Sequence, residues 1–252
     1  MNPELVVLQN RPSAETRAVR LACLTNDIPI VNSSIQVLEL YGQQLRLGSC
    51  LPVGTVEFVR VAMQAAGIRE PENMSYPEGA QRFLGRSLRR MKAGQVLGRW
   101  FVKPLATKAF TGFVFDSQAG ELAYSQADRE SLATFLAMPA DAPVWLSEPV
   151  QFQCEWRFYV QDGRIIGSAR YDPTGADDAP APDTGVVSDC IEATALATPY
   201  VIDFGVLQDG KTVLIEVNDA WAVGLYEKAL EPLEYVRFLH SRWQSLVFAL
   251  KT

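Results

Sequence analysis

The feature that most constrains this chain is an acidic hairpin running from Tyr200 to Gly224, YVIDFGVLQDGKTVLIEVNDAWAVG. Asp209-Gly210 is a strong signal for a two-residue hairpin turn. Counting back from that turn places Asp203 directly opposite Glu216. Alternation along the two strands puts apolar residues on the other face, namely Ile202, Phe204, Val206, Val213, Ile215 and Val217. The sequence therefore predicts an antiparallel pair with one buried face and one acidic face.

Two carboxylates in this arrangement need a neutralising partner. Directly opposed side chains in a hairpin have Cβ atoms about 4.5–5.5 Å apart, and like charges at that separation are destabilising. The same register places Val201 opposite Asn218. A proton shared by the two acids would relieve the repulsion. A divalent cation with oxygen ligands would also do so, and the amide oxygen of Asn218 suits that second solution. Both alternatives remain open from the hairpin alone.

Composition limits the class of protein. The chain has 252 residues, of which 48% are hydrophobic, so it can form one large domain or two to three smaller lobes. A net charge of −6 argues against a protein held mainly by the phosphates of duplex nucleic acid. The four cysteines form no CxxC pair and His240 is the only histidine, so the sequence does not indicate a zinc site. With no apolar run of about 18 residues, we expect no membrane span and a cytoplasmic protein with reduced thiols.

The first part of the chain alternates between strand and helix patterns. Strands are predicted at Leu5–Gln9 and Asp27–Asn32, and a helix from Ser13 to about Leu24. Leu51–Gly54 has the composition of a turn, and Thr55–Ala66 has apolar residues at helical spacing with a threonine cap before it. This order predicts a small open-sheet α/β lobe over residues 1–78.

A second lobe is predicted over residues 79–150. Gln81–Met91 (QRFLGRSLRRM) is interpreted as a basic helix, which is either a solvated face or an attraction for a phosphate-rich or acidic substrate. Lys103 is the only charged residue within the apolar strand WFVKPL, where it either extends to solvent from a sheet edge or binds phosphate. Further elements are expected at Arg99–Lys103, Phe110–Phe115, Ser125–Met138 and Pro143–Val150.

The last lobe, predicted over residues 151–252, begins with another hairpin. Its turn is Asp162-Gly163, and counting from that turn places Glu155 opposite Arg170 and Arg157 opposite Ser168. Glu155 and Arg170 would then form an ion pair, whereas Arg157 would have no such partner. The following segment, residues 171–189, is rich in Pro, Gly, Asp and Ala and is predicted to be a mobile, lid-like loop. An apolar-periodic helix or two should close the chain.

Several kinds of chemistry are not indicated. The sequence contains neither GxxxxGK[ST] nor GxGxxG nor GxSxG, and a single histidine leaves little room for a Ser-His or Cys-His nucleophile. What remains is an acid pair with an asparagine, upstream lysines and an arginine. This set suits metal-assisted phosphate chemistry, in which cations neutralise phosphate oxygens while acids hold Mg²⁺.

The order of these motifs resembles the ATP-grasp superfamily. FVKP is followed by a strand ending in SEPV, then by EWRFYV, VIDFGV and LIEVND. The acid-x-Asn motif is similar to that of D-alanine–D-alanine ligase and its relatives. LPVGTVEFV, FVKPLATKAFTGFVF and EWRFYV together resemble the ATP-grasp branch named for one arginine and two lysines, and the likeness spans Leu51 to Tyr226. It implies an α+β / α/β ATP-grasp fold, in which two α+β lobes that clasp ATP follow the N-terminal lobe.

The resemblance also implies residue roles. Mg²⁺ would be held between ATP phosphates by Asp203, Glu216 and Asn218. The phosphates would be contacted by Lys103 and Lys108. Adenine would be read by the hinge Ser147, Glu148, Pro149 and Val150, and Glu155 would bind ribose or metal. The triphosphate or an acyl phosphate would face Arg157 and Arg170, with Lys108 as a further catalytic group. Most relatives have a Gly-rich loop after the lysine strand, whereas KAFTGFVF contains one glycine.

The family likeness implies an ATP- and Mg-dependent carboxylate–amine ligase that acts through an acyl phosphate. The expected substrate is a small amino acid or peptide, read by the N-terminal lobe and by Leu51–Phe58. Two alternatives are ATP-driven modification of RNA or protein ends and a nucleotide-binding module without catalysis. A macromolecular acceptor and a homodimer are compatible with the sequence.

Overall fold

The computed structural model describes residues 1–106, 109–172 and 178–250, and its strands form three sheets. The first sheet is parallel, with order β2-β1-β3. Its strands are β1 (Leu5–Gln9), β2 (Ile30–Ser33) and β3 (Cys50–Val53). Its helices are α1 (Ala14–Thr25), α2 (Gly42–Leu47) and α3 (Val56–Ala66). These elements lie within residues 1–78, where the sequence predicts an open-sheet α/β lobe.

Local sequence signals explain most of this lobe. The hydroxyl of Ser13 accepts the N–H of Thr16 at the start of α1, and that of Thr55 accepts the N–H of Phe58 at the start of α3. Gly67 ends α3 in the left-handed region, at φ 72°. The interpretation of Leu51–Gly54 as a turn was wrong, because β3 occupies Cys50–Val53. Pro52 is tolerated there since β3 is an edge strand.

The middle sheet is antiparallel, with order β4-β7-β5-β6. Its strands are β4 (Leu88–Lys92), β5 (Arg99–Pro104), β6 (Phe113–Asp116) and β7 (Pro143–Ser147). Helix α4 (Gln126–Leu136) contributes to an apolar core on one face of this sheet. The opposite face carries Lys103, which lies across from Trp145 on β7. This second face is turned toward the third sheet, and a cavity lies between the two.

The predicted basic helix at Gln81–Met91 was wrong. A single 3₁₀ turn covers Gln81–Phe83, and the chain is extended by Leu88, where β4 begins. Between them Gly85 has φ 61°, a backbone conformation that ends a right-handed helix and favours glycine. A Cβ atom at this position would approach Val213 Cγ1 to 2.5 Å. The arginines that follow therefore lie on an edge strand.

The third sheet has the order β11-β10-β8-β9. Its strands are β8 (Phe152–Gln161), β9 (Arg164–Arg170), β10 (Tyr200–Leu207) and β11 (Thr212–Asp219). Helix α5 (Thr184–Thr194) packs on one face in a core with Phe158, Phe204 and Leu214. The last helix, α6 (Pro232–Phe248), returns to the first lobe and shares its core, where Trp243 and Phe238 are fully buried.

The predicted loop at residues 171–189 includes the start of a helix. Asp183 caps α5 by accepting the N–H of Gly185, and α5 begins at Thr184. Residues 173–177 of the predicted lid lie outside the described residues. None of the described helices is long and apolar enough to cross a membrane.

The four cysteines are free and buried. Burial raises the pKa of Cys23 to about 11 and those of Cys50 and Cys190 to about 12. Because the thiolate is the reactive form, we expect the native chain to react with a thiol reagent at pH 8 at least about 100-fold more slowly than a free thiol. A chromogenic disulfide reagent checks this, with the guanidinium-unfolded chain as the control in which all four thiols react. A fast-reacting thiol in the native chain would contradict the burial.

Candidate active site

The predicted acid pair is formed by the hairpin of β10 and β11. Asp203 lies directly opposite Glu216, and Val201 lies opposite Asn218. On its other side β10 pairs with β8, which places Arg157 next to Asp203. Side chains of directly paired residues project from the same face of a sheet. Arg157, Asp203 and Glu216 therefore form one row across three adjacent strands.

Asp203 and Arg157 form a buried bidentate ion pair. Arg157 Nε donates to Asp203 Oδ1 at 2.8 Å, and Nη2 donates to Oδ2 at 2.7 Å. The Asp203 side chain is 1% exposed and that of Arg157 is 11% exposed. The prediction that Arg157 has no partner was wrong. Its partner comes from β10 rather than from the hairpin to which Arg157 belongs.

Glu216 is held by a different set of groups. Lys103, which reaches across from β5, donates to Glu216 Oε2 and also to Ser75 Oγ at 2.8 Å. Asn218 Nδ2 donates to Glu216 Oε1 at 2.7 Å. Each acid of the pair thus has its own cation. The ion pair of Lys103 and Glu216 also joins the second sheet to the third. The chain itself supplies the neutralisation that the sequence argument required from a proton or a metal.

The two acids differ electrostatically. Burial raises the pKa of Asp203, and Arg157 opposes that effect. Burial also acts to raise the pKa of Glu216, but Lys103 and Asn218 outweigh it, so the pKa of this carboxyl is lowered. Glu216 is the more accessible of the two, with a side chain 25% exposed. It is therefore the acid better placed to exchange a protein partner for a ligand.

The second hairpin has a register different from the predicted one. Val160 faces Ile165, but a shift then places Tyr159 opposite Gly167, so Arg157 faces Ala169 and Trp156 faces Arg170. The predicted pairs Glu155–Arg170 and Arg157–Ser168 were therefore wrong. Arg170 instead donates to Asp172 through Nε at 2.8 Å and Nη2 at 2.9 Å.

Two tyrosines border the buried arginine. Tyr171 and Tyr226 are stacked, with ring centroids 5.0 Å apart and an interplanar angle of 15°. The Arg157 guanidinium carbon lies 5.8 Å from the first ring and 5.1 Å from the second. Neither tyrosine was singled out in the sequence, since no local pattern marks two distant residues that stack.

A cavity of about 450 Å³ lies between the second and third sheets. Its lining includes Lys103, Ser147, Pro149, Val150, Glu155 and Glu216, six of the residues that the family likeness implicates. It also includes Tyr76, Arg86, Phe101, Thr111, Gly112, Tyr171 and Ile215, which no sequence motif marks as site residues. Apolar groups such as Phe101 and Ile215 and the charged pair of Lys103 and Glu216 thus share one cavity.

Other predicted site residues lie elsewhere. Glu148 is exposed, and its Oε2 accepts the N–H of Ser87 at 2.9 Å, so its side chain is engaged away from the cavity. Lys108 lies outside the described residues. Arg157 and Asn218 line a neighbouring cavity of about 90 Å³, which Glu216 also borders.

A further cleft of about 350 Å³ opens on the first lobe. It lies at the carboxyl ends of β1 and β3, and the first turns of α1 and α3 border it. Arg11, Glu15 and Glu57 supply charged groups, and Trp221 and Val223 supply apolar ones. Trp221 and Val223 also line the small cavity beside Glu216. The carboxyl ends of parallel strands are a common location for ligand sites in open sheets.

The donor set fits a magnesium nucleotide. Among residues 1–106, 109–172 and 178–250, no group of three or more His, Cys, Asp or Glu could hold a metal ion. Mg²⁺ nevertheless binds through one or two carboxylates, with water and substrate phosphates completing its octahedron. Glu216 and the amide oxygen of Asn218 are ligands of this kind, and both border the small cavity. Asp203 lies beside Glu216 but is 1% exposed, lines neither cavity and has both oxygens bound to Arg157. Lys103 is a cation of the kind that binds phosphate oxygens.

Comparison with known families decides the class. Residues 83–238 match the family model of an ATP-grasp domain, family 2 of the clade named for one arginine and two lysines. The chain belongs to this ATP-grasp family. The resemblance read from the sequence motifs is thereby confirmed, and membership supports the predicted assignment as an ATP-dependent ligase of the ATP-grasp type. No curated protein sequence matches the chain.

Solved structures confirm the predicted ATP-grasp fold. D-cycloserine synthetase DcsG is 13% identical, with 95% of this chain and 99% of that chain covered and a TM-score of 0.57. The ATP-grasp ligase PsnB, complexed with a minimal precursor, is 14% identical, with coverages of 96% and 100% and a TM-score of 0.51. D-alanine–D-alanine ligase from Bacillus anthracis, complexed with ATP, is 12% identical, with coverages of 97% and 96% and a TM-score of 0.50.

Proposed function

We propose that this protein is an ATP- and Mg-dependent ligase that joins a carboxylate to an amine through an acyl phosphate. The observation that carries the proposal is the row of Arg157, Asp203 and Glu216, with Lys103 bound to Glu216 at one end of a cavity between two sheets. Positive and negative groups are both concentrated where a triphosphate and its metal would lie. Electrostatic stabilisation of this kind is the main requirement of phosphoryl transfer.

We assign the nucleotide to the cavity between the second and third sheets. Its apolar part, with Phe101, Val150 and Ile215, suits a purine base, and the backbone of the segment after β7 suits its polar edge. Lys103 would bind phosphate oxygens. Mg²⁺, held by Glu216, Asn218 and Asp203, would neutralise the phosphate charge as a Lewis acid.

The reaction needs no protein nucleophile. An oxygen of the substrate carboxylate attacks the γ-phosphorus, and the bond from that phosphorus to the ADP oxygen breaks. The amine nitrogen then attacks the acyl carbon, phosphate leaves with the electrons of the C–O bond, and the amine loses a proton. Arg157, buried beside the acid pair, would stabilise negative charge on the transferring group, and enclosure would limit hydrolysis of the acyl phosphate.

The substrate would enter from the cleft on the first lobe. That cleft contains both an arginine and two glutamates, so it can bind the carboxylate and the ammonium of an amino acid or peptide. It shares Val56, Trp221 and Val223 with the small cavity beside Glu216. This continuity supports a substrate that approaches the nucleotide from the first lobe.

The testing experiment incubates the protein with ATP, Mg²⁺ and pooled amino acids and measures the release of ADP and phosphate. We expect release that depends on Mg²⁺ and on one or more members of the pool, at a rate typical of enzymes, about 1–10³ s⁻¹. Omission of single amino acids then identifies the substrate. Calorimetry with MgATP is the parallel measurement, and absence of metal-dependent binding would exclude the proposed site.

A further inference from the structure

Positive charge is segregated in the middle of the chain. Residues 79–115 contain eight Lys and Arg and no Asp or Glu, although the whole chain has 29 acidic and only 23 basic residues. Two of these eight, Lys103 and Lys108, belong to the predicted ATP site. Exposed cations remain on the surface, at Arg82, Arg89, Arg90, Lys92 and Arg99. This surface is basic on a protein that is acidic overall, so a polyanion would be attracted to it.

The basic surface is centred on the edge strand β4. Arg89, Arg90 and Lys92 are exposed on it, and their side chains make no hydrogen bond or ion pair within the described residues. Glu148 interacts electrostatically with Arg89. Its Oε2 accepts the N–H of Ser87. Two guanidiniums of this strand therefore have donors available for a ligand.

Aromatic rings hold these guanidiniums in place. Arg89 lies over the ring of Trp100 at 4.3 Å on one face of the sheet, and Arg90 lies over the ring of Trp145 at 4.5 Å on the opposite face. A third ring, Tyr76, meets Trp145 edge-on at 5.2 Å. An arginine stacked on an aromatic face keeps its N–H groups in the plane of its own guanidinium, where they can contact phosphate oxygens.

A cleft adjoins this strand and is separate from the nucleotide cavity. It measures about 340 Å³ and lies between the 76–88 segment and β7, with Tyr76, Trp145, Leu84 and Leu88 in its lining. Arg86 borders both cavities and is fixed by three backbone carbonyls, those of Leu84, Leu214 and Ile215. The cleft thus combines aromatic walls with a basic rim.

We propose that strand β4 and this adjoining cleft bind single-stranded nucleic acid, with phosphates on Arg90 and Lys92, which lie on the same face of the sheet as Trp145, and a base in the aromatic cleft. Combination of a basic track with stacking side chains is the usual design of single-strand binding sites. An unstacked base can enter such a cleft, whereas bases within a duplex remain paired and stacked. An acidic peptide would use the cations but would leave the aromatic cleft without a partner.

The test measures fluorescence anisotropy of a labelled 12-nucleotide oligouridylate RNA at 50 mM salt, without ATP. We expect the charge reversal Arg90→Glu with Lys92→Glu to weaken binding by at least about tenfold and to reduce the salt dependence by about two phosphate contacts. Trp145→Leu should weaken binding about tenfold through lost stacking. Thermal denaturation verifies that each variant is folded.

The matched control is the double reversal Arg164→Glu with Arg237→Glu, which makes the same charge change beside a different surface cleft. We expect its RNA affinity to stay within about twofold of the wild type. Equal weakening by both double variants, or no binding of the RNA by the wild type, would overturn the proposal. Equal affinity for a duplex of the same length, or for oligoglutamate, would also overturn it. Because the measurement needs no ATP turnover, its outcome is separate from that of the ligase proposal.

Discussion

Replacement of Arg157 by methionine should lower the free energy of unfolding by about 3–5 kcal/mol, the range for breaking a buried ion pair by removal of one partner. Asp203 is 1% exposed, and each of its carboxylate oxygens accepts a hydrogen bond from the guanidinium of Arg157. Methionine fills a similar volume but leaves the carboxylate buried without a cation. The loss of stability comes from the unpaired charge of Asp203. Urea denaturation should therefore be measured at neutral pH, where a carboxylate is normally charged.

The control uses a charge pair of the same type on the surface. Lys211 and Asp209 are 73% and 52% exposed at the tip of the same acidic hairpin, and Lys211→Met should leave the urea-denaturation curve close to that of the wild type. Adding Asp203→Asn to Arg157→Met should recover part of the lost stability, because a neutral amide is less costly to bury. If the single variant loses less than about 1 kcal/mol, Asp203 is not a buried anion.

The register of the acidic hairpin was predicted correctly at the site, but the turn that justified it was not. Val206 faces Thr212, so the turn is one residue longer than predicted. An irregularity between Asp203 and Phe204 then leaves Ile215 unpaired on β11 and restores the expected register at Glu216. As a result Leu214 packs in the core, and Ile215 lines the cavity. The one-residue shift at the turn and the one-residue shift at the irregularity cancel each other, and counting from the turn cannot predict the second shift.

The second hairpin has an offset that nothing compensates. Its irregularity leaves Ile166 unpaired, and every pair beyond it moves by one residue. Gly167 follows at once, where a Cβ atom would overlap the backbone oxygen of Ala229. This close approach of a distant segment explains why glycine is needed. It is invisible in the local sequence, and so was the resulting change of partners for Arg157 and Arg170.

Long-range pairing accounts for the rest of what the sequence could not provide. Strand composition predicted β8 and β10 separately, but their adjacency, which brings Arg157 to Asp203, follows only from the order of strands in the sheet. The same holds for Lys103, which meets Glu216 from another sheet. Residue types at the site were thus predictable, whereas the ion pairs among them were not.

Replacement of Glu216 by glutamine should reduce Mg-dependent ADP formation by at least about 10²–10³-fold, the range for loss of one electrostatic contact to a transition state. Glutamine has the same shape, but it removes the charge that would hold Mg²⁺ and the anion that pairs with Lys103. Glu216 is a sharper test than Asp203, because Asp203→Asn also leaves Arg157 buried without its anion. The expected change is therefore in chemistry and metal affinity more than in folding.

Calorimetry separates these contributions. We expect Glu216→Gln to weaken the binding of ATP in the presence of Mg²⁺ much more than its binding in EDTA, since the lost carboxylate acts through the metal. The matched control is Glu148→Gln, an exposed acid whose carboxylate contacts the N–H of Ser87 and which does not line the cavity. Glu148→Gln should retain wild-type turnover within about twofold, as expected of a surface contact. Wild-type turnover in Glu216→Gln would show that the metal is held elsewhere, and equal losses in both glutamine variants would assign the effect to the fold rather than to the acid pair.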